Sequence, residues 1–314
     1  SRMEDSTRLP HLPAEITQVD LCGPALEIAA WGTPADELSL LDPLPPKSLA
    51  SAHETLRMLH LVDDDLKPTP LGREVLGLPL HPRLGTMVAR NNEMKKQGWI
   101  ACIVAALLEE RDIMRGRPDE LPADLALRVQ IVVGLGGHDA ADRGAVRRVF
   151  EAARDIARRA RIDSDTHVSS DEIDSLTGQV LLAAYPDRLA MARQTAGQFL
   201  MRNGGGTACN SKDSLAREAF IVAADIDGGR GNARLRRGAA VDEAGISRLA
   251  GQVCEVVREE RAVRGAGGGV AGHIGGHRGQ RVRAVGQGHG GDGVGAAIIG
   301  DGGADQHAVV VQVD

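Results

Sequence analysis

The stretch T-P-L-G-R-E-V-L-G-L-P-L-H-P-R-L, from Thr69 to Leu84, divides the chain into two differently patterned regions. Pro70 and Pro82 each predict the start of a helix, because proline is favoured in the first helical turn. Gly77 is typical of the end of the first of these helices. We therefore expect a small unit before this stretch and a longer helical region after it.

The preceding region, residues 17–80, has the pattern of a winged-helix domain. Pro24 and Gly32 bracket a first helix, and a second helix is predicted from about Pro46 to His60 by leucine and alanine repeating on one face. The apolar residues on either side of the acidic turn at 63–65 predict a small hairpin. Two helices followed by a short ribbon are the outline of a winged helix.

The following region predicts a helical bundle and then short strands. Breaks at glycine, proline and polar residues separate five helix candidates within residues 81–186, namely 82–92, 97–113, 123–134, 144–161 and 172–184. Short β-like runs at 197–201 and 220–224 predict a partial small barrel over residues 187–250, with an exposed edge after the second run. The predicted fold class is therefore mainly α, with an incomplete β segment.

Composition limits the function classes. The formal charge is −6 and the pI about 5.9, which argues against a protein that coats nucleic acid nonspecifically, although a local basic face can still bind phosphates. The four cysteines form no C-x-x-C pair, so neither a metal site nor a disulfide framework is predicted. No apolar run is long enough to cross a bilayer. We expect a cytoplasmic protein that does not bind membranes.

The C-terminal region, residues 251–314, has a different composition. The last aromatic residue is Phe220, and beyond about residue 265 the chain is rich in Gly, Val, Ala, Arg and His. Such a sequence cannot bury enough apolar surface to form a core. We expect a disordered tail or the product of a shifted reading frame. Its G-x-G-x-x-G matches follow no predicted strand and are attributed to glycine density.

A nucleotide-binding loop is not predicted. A P-loop requires lysine directly after glycine, and each of the five lysines follows another residue type. The D-E-I-D run at Asp171 to Asp174 follows a polar segment, so a helix N-terminus is the preferred interpretation. We predict no catalytic residue and no cofactor bound by this chain.

The strongest charge pattern is a run of arginines on one predicted helix. Seven arginines and two acids lie between Arg143 and Arg161. Helical spacing puts several of the arginines on one face, where a guanidinium row can contact a phosphate backbone. The alternative is a solvated bundle face whose arginines pair with nearby acids. The candidate nucleic-acid-binding residues are Arg147, Arg148, Arg154, Arg158 and Arg161, together with Arg230, Arg234 and Arg236 of a second cluster.

Several sequence blocks resemble, in order, HrpB-type ATP-dependent RNA helicases of the DEAH-box (DExH) superfamily. Besides T-P-L-G and P-L-H-P-R-L, they are A-A-L-L-E-E-R-D-I-M-R-G from Ala105, D-L-A-L-R-V from Asp124, A-Y-P-D-R-L-A from Ala184, F-L-M-R-N-G-G-G from Phe199 and F-I-V-A-A-D-I-D-G from Phe220. The resemblance covers about residues 1 to 250. Residues 1–16 are similar to the end of the second RecA-like domain.

The resemblance implies a winged helix, a helical ratchet bundle and an oligonucleotide-binding (OB) segment. It implies that the chain guides single-stranded RNA, because ratchet bundles of this superfamily line the RNA channel. ATP and magnesium are implied only for a RecA-like helicase core, a possible partner that this sequence does not encode. One alternative is a non-enzymatic winged-helix regulator that binds duplex DNA through the helix at Pro46 to His60. Another is a gene remnant without function.

Overall fold

The computed structural model describes residues 14–117, 119–228, 233–253, 255–256 and 311–312, without the side chains of 249–256 and 311–312. This part of the chain is about half helical, with a smaller strand region near its C-terminal end. The helices are α1 (Cys22–Trp31), α2 (Pro46–Met58), α3 (Pro70–Leu76), α4 (Pro82–Arg90), α5 (Lys95–Glu109), α6 (Leu125–Val132), α7 (Arg143–Ala160), α8 (Ser170–Ala184) and α9 (Glu243–Val253).

Five strands form a closed barrel, in the order β1-β2-β3-β5-β4. They are β1 (Leu189–Ala192), β2 (Gln198–Met201), β3 (Gly206–Ala208), β4 (Phe220–Asp227) and β5 (Ala233–Ala240). Neighbouring strands are antiparallel except for the parallel pair β3 and β5. Two further short strands, β6 (Glu255–Val256) and β7 (Val311–Gln312), pair antiparallel with each other.

The N-terminal unit has its own apolar core, formed mainly by α1, α2 and α3. The predicted end of the first helix at Gly32 is confirmed, since Gly32 caps α1 in the left-handed conformation with φ +82°. The predicted hairpin is wrong in extent: a single bridge joins Val62 to Pro68. The pairing cannot extend further, because α2 ends at Met58 and α3 begins at Pro70.

The bundle is organised around α5, which is buried from Gly98 to Leu107. Helices α7 and α8 pack on it, and α4 and α6 pack on α8. All five predicted bundle helices are confirmed, with shifted ends. The largest difference is at α5, which ends at Glu109 and not at 113, because Asp112 turns its carboxylate to the Met114 backbone N–H and to Arg128.

The prediction of an incomplete β segment with an exposed edge at the Phe220 strand is wrong. Strand β4 has partners on both sides, β1 and β5. Strands β1, β3 and β5 were not predicted, because the first two are short and β5 carries three arginines among small residues. The closed barrel buries Phe199 and Ile221 in its interior.

Two features join the barrel to the bundle. Gly178 of α8 lies against the carbonyl oxygen of Ala240 on β5, and a methyl group at position 178 would overlap that oxygen. Arg237 of β5 donates to the Leu107 carbonyl at the end of α5 and to the Asp225 carboxylate. The barrel and the bundle therefore share a close-packed interface.

Two partly buried ion pairs connect sequence blocks that resemble HrpB-type helicases. Arg83 of P-L-H-P-R-L pairs with Asp187 of A-Y-P-D-R-L-A, with nitrogen–oxygen distances of 2.7 and 3.1 Å. Arg128 of D-L-A-L-R-V pairs with Asp112 of E-R-D-I-M at 3.0 and 2.6 Å, and its side chain is 1% exposed. Both are two-point guanidinium–carboxylate contacts, the strongest geometry for such a pair.

Among the described residues, no helix has the length and apolar character needed to span a membrane. The predictions for residues 1–13 and for most of the tail, 257–310, lie outside the part of the chain that the structure describes.

Candidate nucleic-acid interface

Helix α7 carries the predicted arginine row on a face opposite its packing face. The packing face buries Ala145, Val149, Ala153 and Ile156 in the bundle core. Asp142 caps the N-terminus by accepting from the Ala145 backbone N–H at 2.7 Å. All seven arginines between 143 and 161 are exposed. The amphipathic sequence therefore folds with its guanidinium groups toward solvent.

Three of the predicted arginines form exposed ion pairs. Arg147 Nε lies 2.9 Å from Glu151 Oε1, and Arg158 Nη2 lies 2.7 Å from Asp155 Oδ1. Arg154 Nη2 is 3.9 Å from Asp165 Oδ1, at the edge of contact. These pairs match the alternative interpretation of a solvated face. The side chains of the three arginines are 52 to 81% exposed, however, so the pairs are weak and exchangeable.

Other arginines of the same helix have no ion pair within the described residues. Arg148 and Arg161 belong to the predicted set, and Arg161 ends the helix in the left-handed conformation with φ +58°. Arg143 and Arg159 are not among the predicted nucleic-acid-binding residues. Arg143 precedes Arg147 by one helical turn and extends the row to the first turn of α7. The i, i+4 spacing of these two arginines is the pattern that identifies it from sequence.

The second predicted cluster is less uniform. Arg230 lies outside the described residues. Arg236 is exposed on β5 and pairs with Asp227 at 2.9 Å, and Arg234 lies two residues before it on the same strand. Helix α7 packs on α5 and α6, whereas β5 packs on β4 and α8. The two sets of arginines are therefore presented by different parts of the fold.

A groove of about 610 Å³ lies where the N-terminal unit, the bundle and the barrel meet. Its walls are α2, the start of α4 and the turn after β2. Three arginines and two acidic residues are among the residues that line it, namely Arg57, Arg83, Arg202, Glu54 and Asp187. The groove has no local sequence signature, because it is built from segments up to about 150 residues apart. The side of α2 that carries Ser51, Glu54 and Arg57 forms one wall of this groove.

One group of metal-ligating side chains occurs within the described residues. Asp20, Cys22 and His81 bring their ligand atoms within 4.8 Å of one another. His81 Nδ1 accepts from the Arg83 backbone N–H, so the ring proton of the neutral imidazole lies on Nε2, 3.3 Å from Asp20. Burial raises the pKa of the Cys22 thiol to about 12. The geometry is that of a hydrogen-bonded link between the residues before α1 and the start of α4.

Comparison with known proteins confirms the resemblance inferred from the sequence blocks. No family model matches the chain. Over 214 residues it is 28% identical to the ATP-dependent RNA helicase HrpB of Escherichia coli (strain K12), which covers 67% of this chain and 23% of that protein. The chain is thus homologous to part of an HrpB-type helicase and spans about a quarter of its relative's length.

Two crystal structures have a similar fold. One, described as the E. coli DExH-box NTPase HrpB, aligns with a TM-score of 0.64 at 22% identity over 85% of this chain and 30% of that chain. The other, described as the Escherichia coli DEAH/RHA helicase HrpB, aligns with a TM-score of 0.62 at 23% identity over 76% and 28%. The likeness of the fold therefore extends over both the helical and the strand regions.

Proposed function

We propose that this chain, as the homologue of part of an HrpB-type helicase, is a region that guides single-stranded RNA during ATP-dependent unwinding. The arginine face of α7 is the observation that carries the proposal. ATP hydrolysis is assigned to RecA-like domains of such a helicase, and no residue of this chain is given a catalytic role. The chain's contribution is to hold the phosphate backbone and fix its path.

We assign the three units by their architecture. Helices α1 to α3 with the bridge at Val62 are interpreted as the winged helix, α4 to α8 as the ratchet bundle, and β1 to β5 as the OB fold. A five-stranded closed barrel is the architecture of OB folds, which bind oligonucleotides and oligosaccharides. The assignment keeps the predicted boundaries at about residues 80 and 186.

Electrostatics favour binding of a flexible anionic strand at α7. The chain is acidic overall, so attraction must come from local faces. Arginine binds phosphate through a planar fork and is less strongly hydrated than lysine. The exposed pairs of Arg147, Arg154 and Arg158 cost little to exchange, because the displaced carboxylates return to water. Arg143, Arg148 and Arg161 have no ion pair within the described residues, so no carboxylate has to be displaced before they bind phosphate.

The alternative of a duplex-binding regulator has weaker support. In such a protein α2 would enter the major groove of DNA, which requires an unobstructed helix face. Residues Ser51, Glu54 and Arg57 of that face line the groove opposite the barrel turn at Arg202 and Asn203. The bundle also has no role in a regulator of this kind. A non-functional remnant would bind neither nucleic acid.

Fluorescence anisotropy with the full chain tests the proposal. We expect a 12-nucleotide RNA strand to bind more tightly than a 12-base-pair DNA duplex, with an affinity that falls as salt is raised from 50 to 200 mM. Tighter binding of the duplex would support the regulator. Absence of binding to either at 50 mM salt would contradict the proposal and leave the remnant interpretation.

A further inference from the structure

An aromatic side chain, Phe150, lies on α7 at the border between the arginine face and the face that packs on the bundle. Phe150 lies three residues after Arg147 and four residues before Arg154, so the helix places it beside both arginines. It is partly exposed, whereas Trp99, Phe199 and Phe220 are buried. An aromatic ring between guanidinium groups is the usual composition of a single-strand binding surface.

A depression of about 470 Å³ opens at this position. It lies between the end of α6, the loop at 134–142 and the first two turns of α7. The apolar side chains of Phe150, Val146 and Ile131 line it. Arg143 and Arg147 line it on the α7 side. The volume falls within the range of sites that take small organic ligands, roughly 300 to 1,000 Å³.

The ring of Phe150 is held in place by the bundle core. Its centroid lies 6.0 Å from that of Trp99 in an edge-to-face arrangement, with an interplanar angle of 85°. Trp99 itself is 2% exposed and belongs to α5. A ring fixed on a rigid helix loses little conformational entropy when it contacts a ligand.

We propose that this depression is a base-binding subsite, in which one base of single-stranded RNA packs on Phe150 while its phosphates contact Arg143 and Arg147. The inference rests on the proposed function and adds a specific contact to it. The apolar wall matches the planar base and the two guanidinium groups match the flanking phosphates. Packing of a base on an aromatic ring tolerates any sequence, because each base has a π face.

The test compares two 12-nucleotide probes, oligoadenylate and an abasic ribose-phosphate strand of the same length. With the unmodified chain, oligoadenylate should bind more tightly than the abasic strand. Phe150→Leu should weaken oligoadenylate binding on the order of tenfold and leave abasic binding unchanged, since it removes the ring and keeps the charges. Unchanged abasic binding shows that the leucine variant is folded, and Phe150→Trp, which keeps an aromatic ring, should preserve the preference for oligoadenylate.

A matched control is Trp31→Leu, because Trp31 is 79% exposed on α1, away from the depression. The subsite is overturned if Phe150→Leu leaves oligoadenylate binding unchanged, or if it weakens binding of both probes equally. If neither probe binds the unmodified chain, the proposed function fails together with the subsite. If both probes bind equally, only the subsite fails.

Discussion

Arg83 holds Asp187 through two hydrogen bonds, Nη1 to Oδ1 at 2.7 Å and Nη2 to Oδ2 at 3.1 Å. The same Nη1 donates to the Ala184 carbonyl at 3.0 Å, and the guanidinium carbon lies 5.3 Å from the centroid of the Tyr185 ring. One side chain at the start of the bundle thus fixes the segment that leads into the barrel.

Removing Arg83 should destabilise the protein strongly. The two side chains are 11% and 26% exposed, so Arg83→Ala leaves Asp187 without its partner in a mostly buried position. We expect a loss of about 3–5 kcal/mol in the free energy of unfolding, measured by urea denaturation. Asp187→Ala should lower the free energy of unfolding by a similar amount, and the double variant should lower it by less than the sum of the two single losses.

Arg147→Ala is the control, and its stability should be unchanged within error because its ion pair is exposed. Additive losses in the double variant would show that the pair is not coupled.

Gly178→Ala should loosen the joint between bundle and barrel. The added methyl group would overlap the Ala240 carbonyl oxygen, so α8 and β5 must separate. We expect a destabilisation of about 1–3 kcal/mol by the same measurement. Gly23→Ala serves as the matched control, because no atom lies within 4 Å of the added group and alanine favours a helix. Equal stability of the two variants would refute the close packing of α8 on β5.

The Asp20–His81 contact should make stability sensitive to acid. The hydrogen bond from His81, with further help from the Cys22 backbone N–H, holds the pKa of Asp20 well below its ordinary value. The group therefore contributes stability above the unfolded pKa of about 3.9 and loses it as pH falls toward the lower folded pKa. Asp20→Asn should reduce the difference in denaturation midpoint between pH 6 and pH 3. An unchanged difference would show that other carboxylates account for the acid response.

Local patterns predicted most of the helices but little of the barrel. Helix α7 was evident from its spacing, because its buried face is made of Ala, Val and Ile at helical intervals. Strand β5 was not, because the sequence A-R-L-R-R-G-A-A gains its partners only when β3 and β4 lie beside it. A barrel closes through contacts between distant segments, and such contacts have no local signature.

The candidate site was predicted in the same uneven way. The exposure of Arg147, Arg154 and Arg158 follows from helical periodicity, but their ion pairs depend on side-chain geometry. Arg83 and Arg128 were quoted only as members of sequence blocks, and the fold shows that they hold those blocks together. The groove and the depression beside Phe150 could not be predicted from the sequence, because each is formed by segments that meet only in the folded protein.

The most direct test of the proposed function is the salt dependence of RNA binding by an arginine variant. In the full chain, Arg147, Arg154 and Arg158 are changed together to alanine, with Arg73, Arg111 and Arg117 changed together as a control of equal charge on exposed surfaces outside both α7 and the barrel. The slope of log affinity against log salt should flatten by up to about two units in the α7 variant, at roughly 0.7 per lost contact, and stay unchanged in the control. An unchanged slope in the α7 variant, or an equal change in both, would contradict the assignment of α7 as the RNA-binding face.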